Sequence, residues 1–379
     1  MQFKWLKSVA KISSDYTSIH FYSGFDQKIK PNTLPENLIT LEFGNNFNQE
    51  IEPNILPENL TTLTFGVLFD QKIKLKILPE KLTTLTFGKY FDQKIKPNTL
   101  PENLTTLIFG WFFNRKIEPN TLPENLRNLT FGQHFNQKIE PNTLPENLTS
   151  LTFGFNFNKK IEPNSLPENI TTLTFGHYFN QKIEPNTLPE NLTILTFGSY
   201  FVQKIGPNTL PEKLTILSIG NCFDEKIEPN TLPENLTTLT FGFHFNQKIE
   251  PDILPKNLTS LTFGFDFNQK IDSEILPFNL KNINFNWIYI RKNVLSKHYI
   301  EMVNNIPNYY HVKIFLKQNM YDICELKWPI HVVDYKEHEW SSNIYKIQDK
   351  YTHPIYGLIT KLINKETYQP YSFAKSALK

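Results

Sequence analysis

Leucine, isoleucine and phenylalanine return along most of this chain in one fixed rhythm. The stretch Leu100 to Pro119 reads LPENLTTLIFGWFFNRKIEP, with apolar residues at Leu100, Leu104, Leu107, Phe109, Phe113 and Ile117 and polar residues between most of them. The same order recurs every 22 residues. Its Leu-Pro mark falls at Leu34, Leu56, Leu78, Leu100, Leu122, Leu144, Leu166, Leu188, Leu210, Leu232, Leu254 and Leu276, without insertion or deletion. Leu107 and Phe109 alternate with Thr106 and Ile108, the period of a half-buried strand. Gly110 then permits a bend or a close approach of backbones. Pro101 and Pro119 cannot donate to a sheet ladder, so they mark an extended or turn-like return path. The pattern predicts one short strand per repeat, an irregular or 3₁₀ return, and a right-handed coil that places all strands in one parallel sheet.

A single repeat cannot fold. Six inward side chains do not offset the entropy of ordering the whole repeat, so stacking must supply further burial and inter-rung hydrogen bonds. The predicted fold class is therefore mostly β: a solenoid of about twelve repeats. Ile12, Tyr16, Ile19, Phe21 and Phe25 keep the register at one end, although Gly24 is displaced. Leu280, Ile283 and Phe285 begin a last strand, where Asn286 replaces glycine. This sets the array at 13–286. Residues 1–12, with Phe3, Trp5 and Leu6, read as an N-terminal cap. Residues 287–379 lose the period and read as a small α+β C-terminal cap, with a helix at Val294–Asn305 and a strand at Tyr310–Leu316.

Composition follows from the repeat and adds bounds. Of 32 phenylalanines, 24 sit in the columns of Phe109 and Phe113; of 26 prolines, 22 sit in the columns of Pro101 and Pro119. The net charge of +2 supplies no basic field for nucleic acid or a membrane surface. Two cysteines, Cys222 and Cys324, make no disulfide framework and fit a reducing compartment. Residues 1–10 lack the apolar core of a secretory signal, and no apolar run reaches the roughly 18 residues of a membrane span. The expectation is a soluble, monomeric, cytoplasmic protein. The Asn103-Leu104-Thr105 glycosylation pattern is then a by-product of the repeat.

The polar columns read first as structure. Asn or Asp follows the second phenylalanine, as at Asp26, Asn48, Asp70 and Asn114, with Val202 the exception. A side-chain oxygen there is expected to accept from a backbone donor rung after rung. Most members are neutral Asn, which argues against a metal-binding stack. A column of lysines (Lys72, Lys94, Lys116, Lys138) runs beside columns of glutamates (Glu118, Glu140, Glu162) and reads as a self-neutralising outer face.

Binding information must lie where the copies differ. The two positions after each glycine vary most and are rich in Tyr, Trp, Phe and His, the composition of interaction hot spots. The candidate partner-binding residues are Tyr90, Trp111, Phe112, His134, Phe155, His177, Tyr178, Tyr200, Phe243 and His244, with Trp111, Phe112 and Phe155 foremost. The alternative is that one position of each pair points inward and fills core. His134, His177 and His244 lie too far apart to share a metal. Thr62-x-Thr64, Thr84-x-Thr86, Thr172-x-Thr174 and Thr238-x-Thr240 suit β-structure. They also allow an ice-binding-like surface, interrupted at Asn128, Ser150, Ile194 and Ile216. His331, Asp334, His338 and Glu339 are ligand-type residues without a strong spacing, and the chain carries no P-loop, GxSxG, HExxH or paired-Cys zinc pattern. The function expected is a non-catalytic protein-interaction scaffold without cofactor or metal. An enzyme or ligand site in 287–379 and a passive threonine surface are the alternatives.

Phe113-Asn114, Ile117 and Pro119 resemble the FNIP repeat, a relative of leucine-rich repeats found in social amoebae and in giant viruses of amoebae. Leu104-x-x-Leu107-x-Phe109 is similar to the strand segment of a leucine-rich repeat, although the Asn comes later, after Phe113. The resemblance covers roughly 270 residues. It implies a leucine-rich-repeat-like solenoid that binds a protein partner, in the host cytoplasm if the chain is viral. Some relatives carry an F-box before the repeats; the dozen residues ahead of this array are too few for one, so an adaptor role is not carried over.

Overall fold

The structure is a computed structural model. It describes residues 5–271 and 274–285, together with strand segments at 311–317, 330–335, 350–353 and 359–362. The chain forms a parallel-strand β-solenoid of about twelve turns with almost no helix. It divides into two units, one of Met1–Gln203 with Asn208–Leu214, the other of Lys204–Pro207 with Thr215–Lys379.

In the first unit a short helix α1 (Leu6–Val9) leads into β1 (Ala10–Ile12) and β2 (Ser18–Phe21). One strand per repeat follows: β3 (Thr40–Glu42), β4 (Thr62–Thr64), β5 (Thr84–Thr86), β6 (Thr106–Ile108), β7 (Asn128–Thr130), β8 (Ser150–Thr152), β9 (Thr172–Thr174) and β10 (Ile194–Thr196). From β2 to β10 every neighbour pairs in parallel, and equivalent repeat positions face each other, as in Leu85↔Leu107↔Leu129. The second unit repeats this in β11 (Ile216–Ser218), β12 (Thr238–Thr240), β13 (Ser260–Phe263) and β14 (Asn282–Phe285). There β15 (His311–Lys317) pairs in parallel with β14, and β16 (Ile330–Tyr335) with β15, which extends the ladder beyond the repeats. β17 (Lys350–His353) and β18 (Ile359–Leu362) form a separate antiparallel pair. The strand expected at Tyr310–Leu316 corresponds to β15. Phe3 and the helix expected at Val294–Asn305 lie outside the described residues.

The core is the one the apolar rhythm predicts. Leu100, Leu104, Leu107, Phe109, Phe113 and Ile117 are all buried, and so are their equivalents in nearly every other turn. The two phenylalanines of one turn stack on each other, with Phe109 and Phe113 centroids 3.8 Å apart. Each also stacks on its equivalent one rung away, Phe109 on Phe131 at 5.7 Å and Phe113 on Phe135 at 6.1 Å. Offset rings at these distances gain attraction beyond their buried area.

Irregular backbone, with no 3₁₀ segment among the described residues, makes the return path. Its second half is a turn with proline at its second position. Thr121 N–H donates to the Glu118 carbonyl at 3.2 Å across Pro119 and Asn120, and Asn120 has φ 58°. Proline followed by a left-handed residue is the signature of a type II turn, and Asn is the side chain that tolerates it after glycine.

The first turn departs from the sequence reading. Ile12 and Tyr16, expected to point inward, are only half-buried. β1 runs antiparallel to β2, and Tyr16 sits at φ 62° in a turn closed by its N–H on the Ser13 carbonyl. That turn is held by Asp15, whose carboxylate accepts from the Ser13 hydroxyl and from the Thr17 hydroxyl and N–H. Those donors pull its pKa down to about 2.

Threonine in the column of Thr121 is buried, which the sequence reading did not single out. Ser165 Oγ donates to the Glu162 carbonyl at 2.6 Å, but the hydroxyls of Thr121, Thr143, Thr187 and Thr231 have no partner among the described residues. The chain places buried isoleucine at the same repeat position in Ile55, Ile77, Ile253 and Ile275. Thr143→Val is therefore expected to leave stability unchanged or raise it by up to about 1 kcal/mol. Phe135→Ala, which empties a fully buried ring site, is expected to cost about 3–5 kcal/mol. Urea unfolding of the two variants measures both.

Candidate functional site

The rim after each strand is set by the glycine that ends it. A Cβ at Gly110 would overlap the Gly88 carbonyl, so only glycine lets the two rungs approach here. The chain then turns outward and back, closed by Phe113 N–H on the Gly110 carbonyl at 3.2 Å, which returns the second phenylalanine to the core. The two residues between are carried out on the bend. Phe112 N–H donates to the Lys89 carbonyl at 2.9 Å, and His134 N–H to the Trp111 carbonyl at 2.8 Å, so successive pairs are held in register.

None of the variable pairs fills core. From Asn45-Asn46 to Phe265-Asp266, each residue is exposed or half-buried. The alternative in which one member of each pair points inward is thereby excluded. Trp111, Phe155 and Tyr200 keep 41%, 40% and 47% of their surface in solvent.

Within the first unit these side chains make two clusters. Phe112 stacks on Tyr90 at 4.9 Å and on His134 at 4.7 Å. Lys89 Nζ lies 4.6 Å from the Trp111 ring centroid, a cation–π contact that joins an unpredicted residue to the group. In the second cluster His177 stacks on Phe155 at 4.2 Å and meets Tyr178 and Tyr200 edge-on at 5.1 and 4.9 Å. Tyr178 and Tyr200 lie 5.1 Å apart. Gln133 and Asn156 hold the rung positions between the clusters. Phe243 and His244 belong to the second unit, where Phe243 stacks on Phe265 at 4.9 Å and His244 Nδ1 lies 2.6 Å from Asp266 Oδ2. Neither Phe265 nor Asp266 was singled out from sequence.

Polar columns flank the rim. Asn136 N–H donates to the Asn114 Oδ1 at 2.9 Å, and Gln137 Nε2 donates to the same oxygen at 2.9 Å. The expected Asn/Asp ladder is present, with glutamine as an added rail. A second ladder was missed: Asn103 Nδ2 donates to the Glu80 carbonyl at 2.8 Å, and Asn125 to the Glu102 carbonyl at 2.9 Å. Its signal was the Asn that recurs in the Pro-Glu-Asn segment, replaced only at Lys81 and Lys213. The outer face pairs Lys94 with Glu118 at 3.3 Å and Lys182 with Glu184 at 3.0 Å, and Lys74 with Glu50. Such exposed pairs contribute little to stability and hold the face near neutral. On the strand face, the first threonines pair in register as Thr62↔Thr84↔Thr106, ahead of Asn128. Among the described residues no three His, Cys, Asp or Glu side chains converge to hold a metal, and no helix is long and apolar enough to cross a membrane. His331 and Asp334 fall in β16, while His338 and Glu339 lie outside the described residues.

A parallel strand per turn, leucine and phenylalanine shelves inside and an asparagine ladder at the bend define a leucine-rich-repeat-like solenoid. The model of the family described as FNIP repeat matches residues 25–67, 69–112, 113–156, 135–178, 157–189, 179–222 and 223–266, and the chain belongs to that family. Among solved structures it is similar to CroV588, a circular leucine-rich-repeat protein of the giant virus CroV. The two are 41% identical with a TM-score of 0.72 over 90% of this chain and 48% of CroV588. The chain thus spans about half the length of CroV588. An internalin from Listeria monocytogenes aligns at 15% identity and a TM-score of 0.47, over 88% of each chain. No curated protein matches.

The packing of His177 against Phe155, Tyr178 and Tyr200 has a measurable consequence. Loss of water around the imidazole lowers its pKa below the ordinary 6.5. The unfolded chain then binds the proton more readily, so stability rises with pH between the folded value and 6.5 and is flat above. NMR titration is expected to place the His177 midpoint below 6.5 in the folded protein. Phe155→Ala is expected to move it back up.

Proposed function

We propose that this protein is a non-catalytic interaction scaffold whose protein partner docks on the aromatic rim between residues 89 and 200. One observation carries the reading. Nearly identical turns spend their bulk inside, yet Tyr90, Trp111, Phe155, Tyr178 and Tyr200 hold large apolar surface in solvent on five of the six successive rungs between residues 89 and 200. The rings brace one another, so little side-chain entropy remains to be lost on binding, and aromatic anchors of this kind dominate interface energies. The surrounding polar groups are engaged in the Asn and Gln ladder and do not compete for the partner. Leucine-rich-repeat solenoids commonly mediate protein–protein interaction, which agrees with this assignment. We read the scaffold as a monomer acting in the cytoplasm, with no nucleic acid, membrane or cofactor in its role.

Affinity capture from amoebal lysate, with the partner identified by mass spectrometry, tests the rim directly. The triple variant Trp111→Ser, Phe112→Ser, Phe155→Ser is expected to keep its unfolding midpoint, because none of the three is core. It is expected to weaken binding of the captured partner by about 100-fold or more. Substitution of Thr84 and Thr106 on the strand face by Ala is expected to leave binding intact. Unchanged binding by the triple variant removes the rim as the docking surface.

A further inference from the structure

The rim of the first unit carries charge of one sign. Of the twelve residues in its pairs between 89 and 200, none is acidic and Lys89 is basic. The bends that continue from these pairs, Gly88 to Pro97 and the four equivalent stretches ending at Pro185, hold nine basic side chains against five acidic ones. Lysine–glutamate pairs and the Arg115–Asp92 pair cancel part of this charge. Lys89, Lys116 and Lys159 keep no carboxylate within ion-pair distance among the described residues. The acidic side chains collect at the other end of the strands. There Glu80, Glu102, Glu124, Glu146, Glu168 and Glu190 occupy the corner that precedes each strand.

The rings add to the same sign. Phe112 lies between Tyr90 and His134, with planes inclined by 11° and 26°. Phe155 is stacked on His177 at 9°, and the Lys89 ammonium sits over the Trp111 ring. Faces covered in this way leave ring edges toward solvent. The face of an aromatic ring is negative and its edge positive. Nucleic-acid bases and cationic groups need an open face. A carboxylate is drawn to the edge.

We propose that the segment docking on this rim is an extended acidic peptide of the partner protein, with apolar side chains set among its carboxylates. This rests on the rim reading above and adds the chemistry of the occupant. The apolar side chains cover the rings, and the carboxylates meet the ring edges and Lys89, Lys116 and Lys159. Six rungs at about 4.8 Å each span about 24 Å, the reach of about seven extended residues. Complementary charge of this kind speeds encounter and selects the partner. A second copy of the chain fits less well, because its acidic corner from Glu80 to Glu190 exposes no large apolar side chain.

The test follows the fluorescence anisotropy of rhodamine-labelled peptides with the full chain at neutral pH and low salt. Three probes of about nine residues carry leucine at every third position, with Glu, Ser or Lys elsewhere. The Glu probe is expected to bind at least about tenfold more tightly than the Ser probe, and the Lys probe more weakly than either. Raising the salt to about 0.5 M is expected to remove most of the difference. Lys89→Gln, Lys116→Gln and Lys159→Gln together are expected to cost the Glu probe about tenfold and to leave the Ser probe unchanged. The triple variant Trp111→Ser, Phe112→Ser, Phe155→Ser is expected to weaken both. Equal binding of the Glu and Ser probes, or no effect of the three lysine substitutions, would overturn the acidic occupant and leave the rim in place. Glu-probe binding that survives the aromatic triple variant would overturn the rim reading and this inference with it. Absence of Glu-probe binding would overturn the proposal. So would salt-sensitive dimerisation in sedimentation velocity that the lysine substitutions abolish, which would put a second copy on the rim.

Discussion

Strict register between rungs is the constraint on which this molecule depends. The glycine after most strands, as at Gly66, Gly110 and Gly154, approaches the glycine carbonyl one rung earlier so closely that no side chain fits. With that contact set, each repeat position meets its own kind on the next rung. Leucine pairs with leucine in the ladder, phenylalanine stacks on phenylalanine, and asparagine caps the N–H of the asparagine that follows. The chain length of the repeat never changes because one extra residue would break every column at once.

The same register converts surface variation into geometry. Two residues on each bend are free to differ, and the backbone presents them in register from rung to rung. In the first unit the rows become the braced aromatic groups around Phe112 and His177. In the second they bring a carboxylate to a histidine. A solenoid of near-identical turns thus gains chemistry from single substitutions, because a residue's partner is always the residue one repeat away.

Much of this was legible in the sequence, since spacing of 22 residues predicts burial column by column. Phe109, Phe113 and Leu107 fell where their rhythm placed them, and the Asn114 ladder formed as its column suggested. The first turn was misjudged at Tyr16, because a local turn held by Asp15 overrode the register. The Thr121 column escaped notice because threonine shares this buried position with isoleucine, as at Ile55 and Ile253, and a lone hydroxyl in the sequence does not announce burial. The orientation of the rim pairs could not be read from sequence. Aromatic residues suit core and surface equally, and only the bend between Gly110 and Phe113 carries both members outward.

Native-state hydrogen exchange measures the register most directly. In Asn114→Ala, the account predicts that the amide of Asn136, one rung on, loses protection, because its acceptor is the Asn114 side chain. The amide at position 114 keeps its own protection, since it donates to Asp92 Oδ1 on the rung before. Loss confined to position 114, with Asn136 unchanged, would contradict a rung-to-rung ladder and the stacked columns built on it.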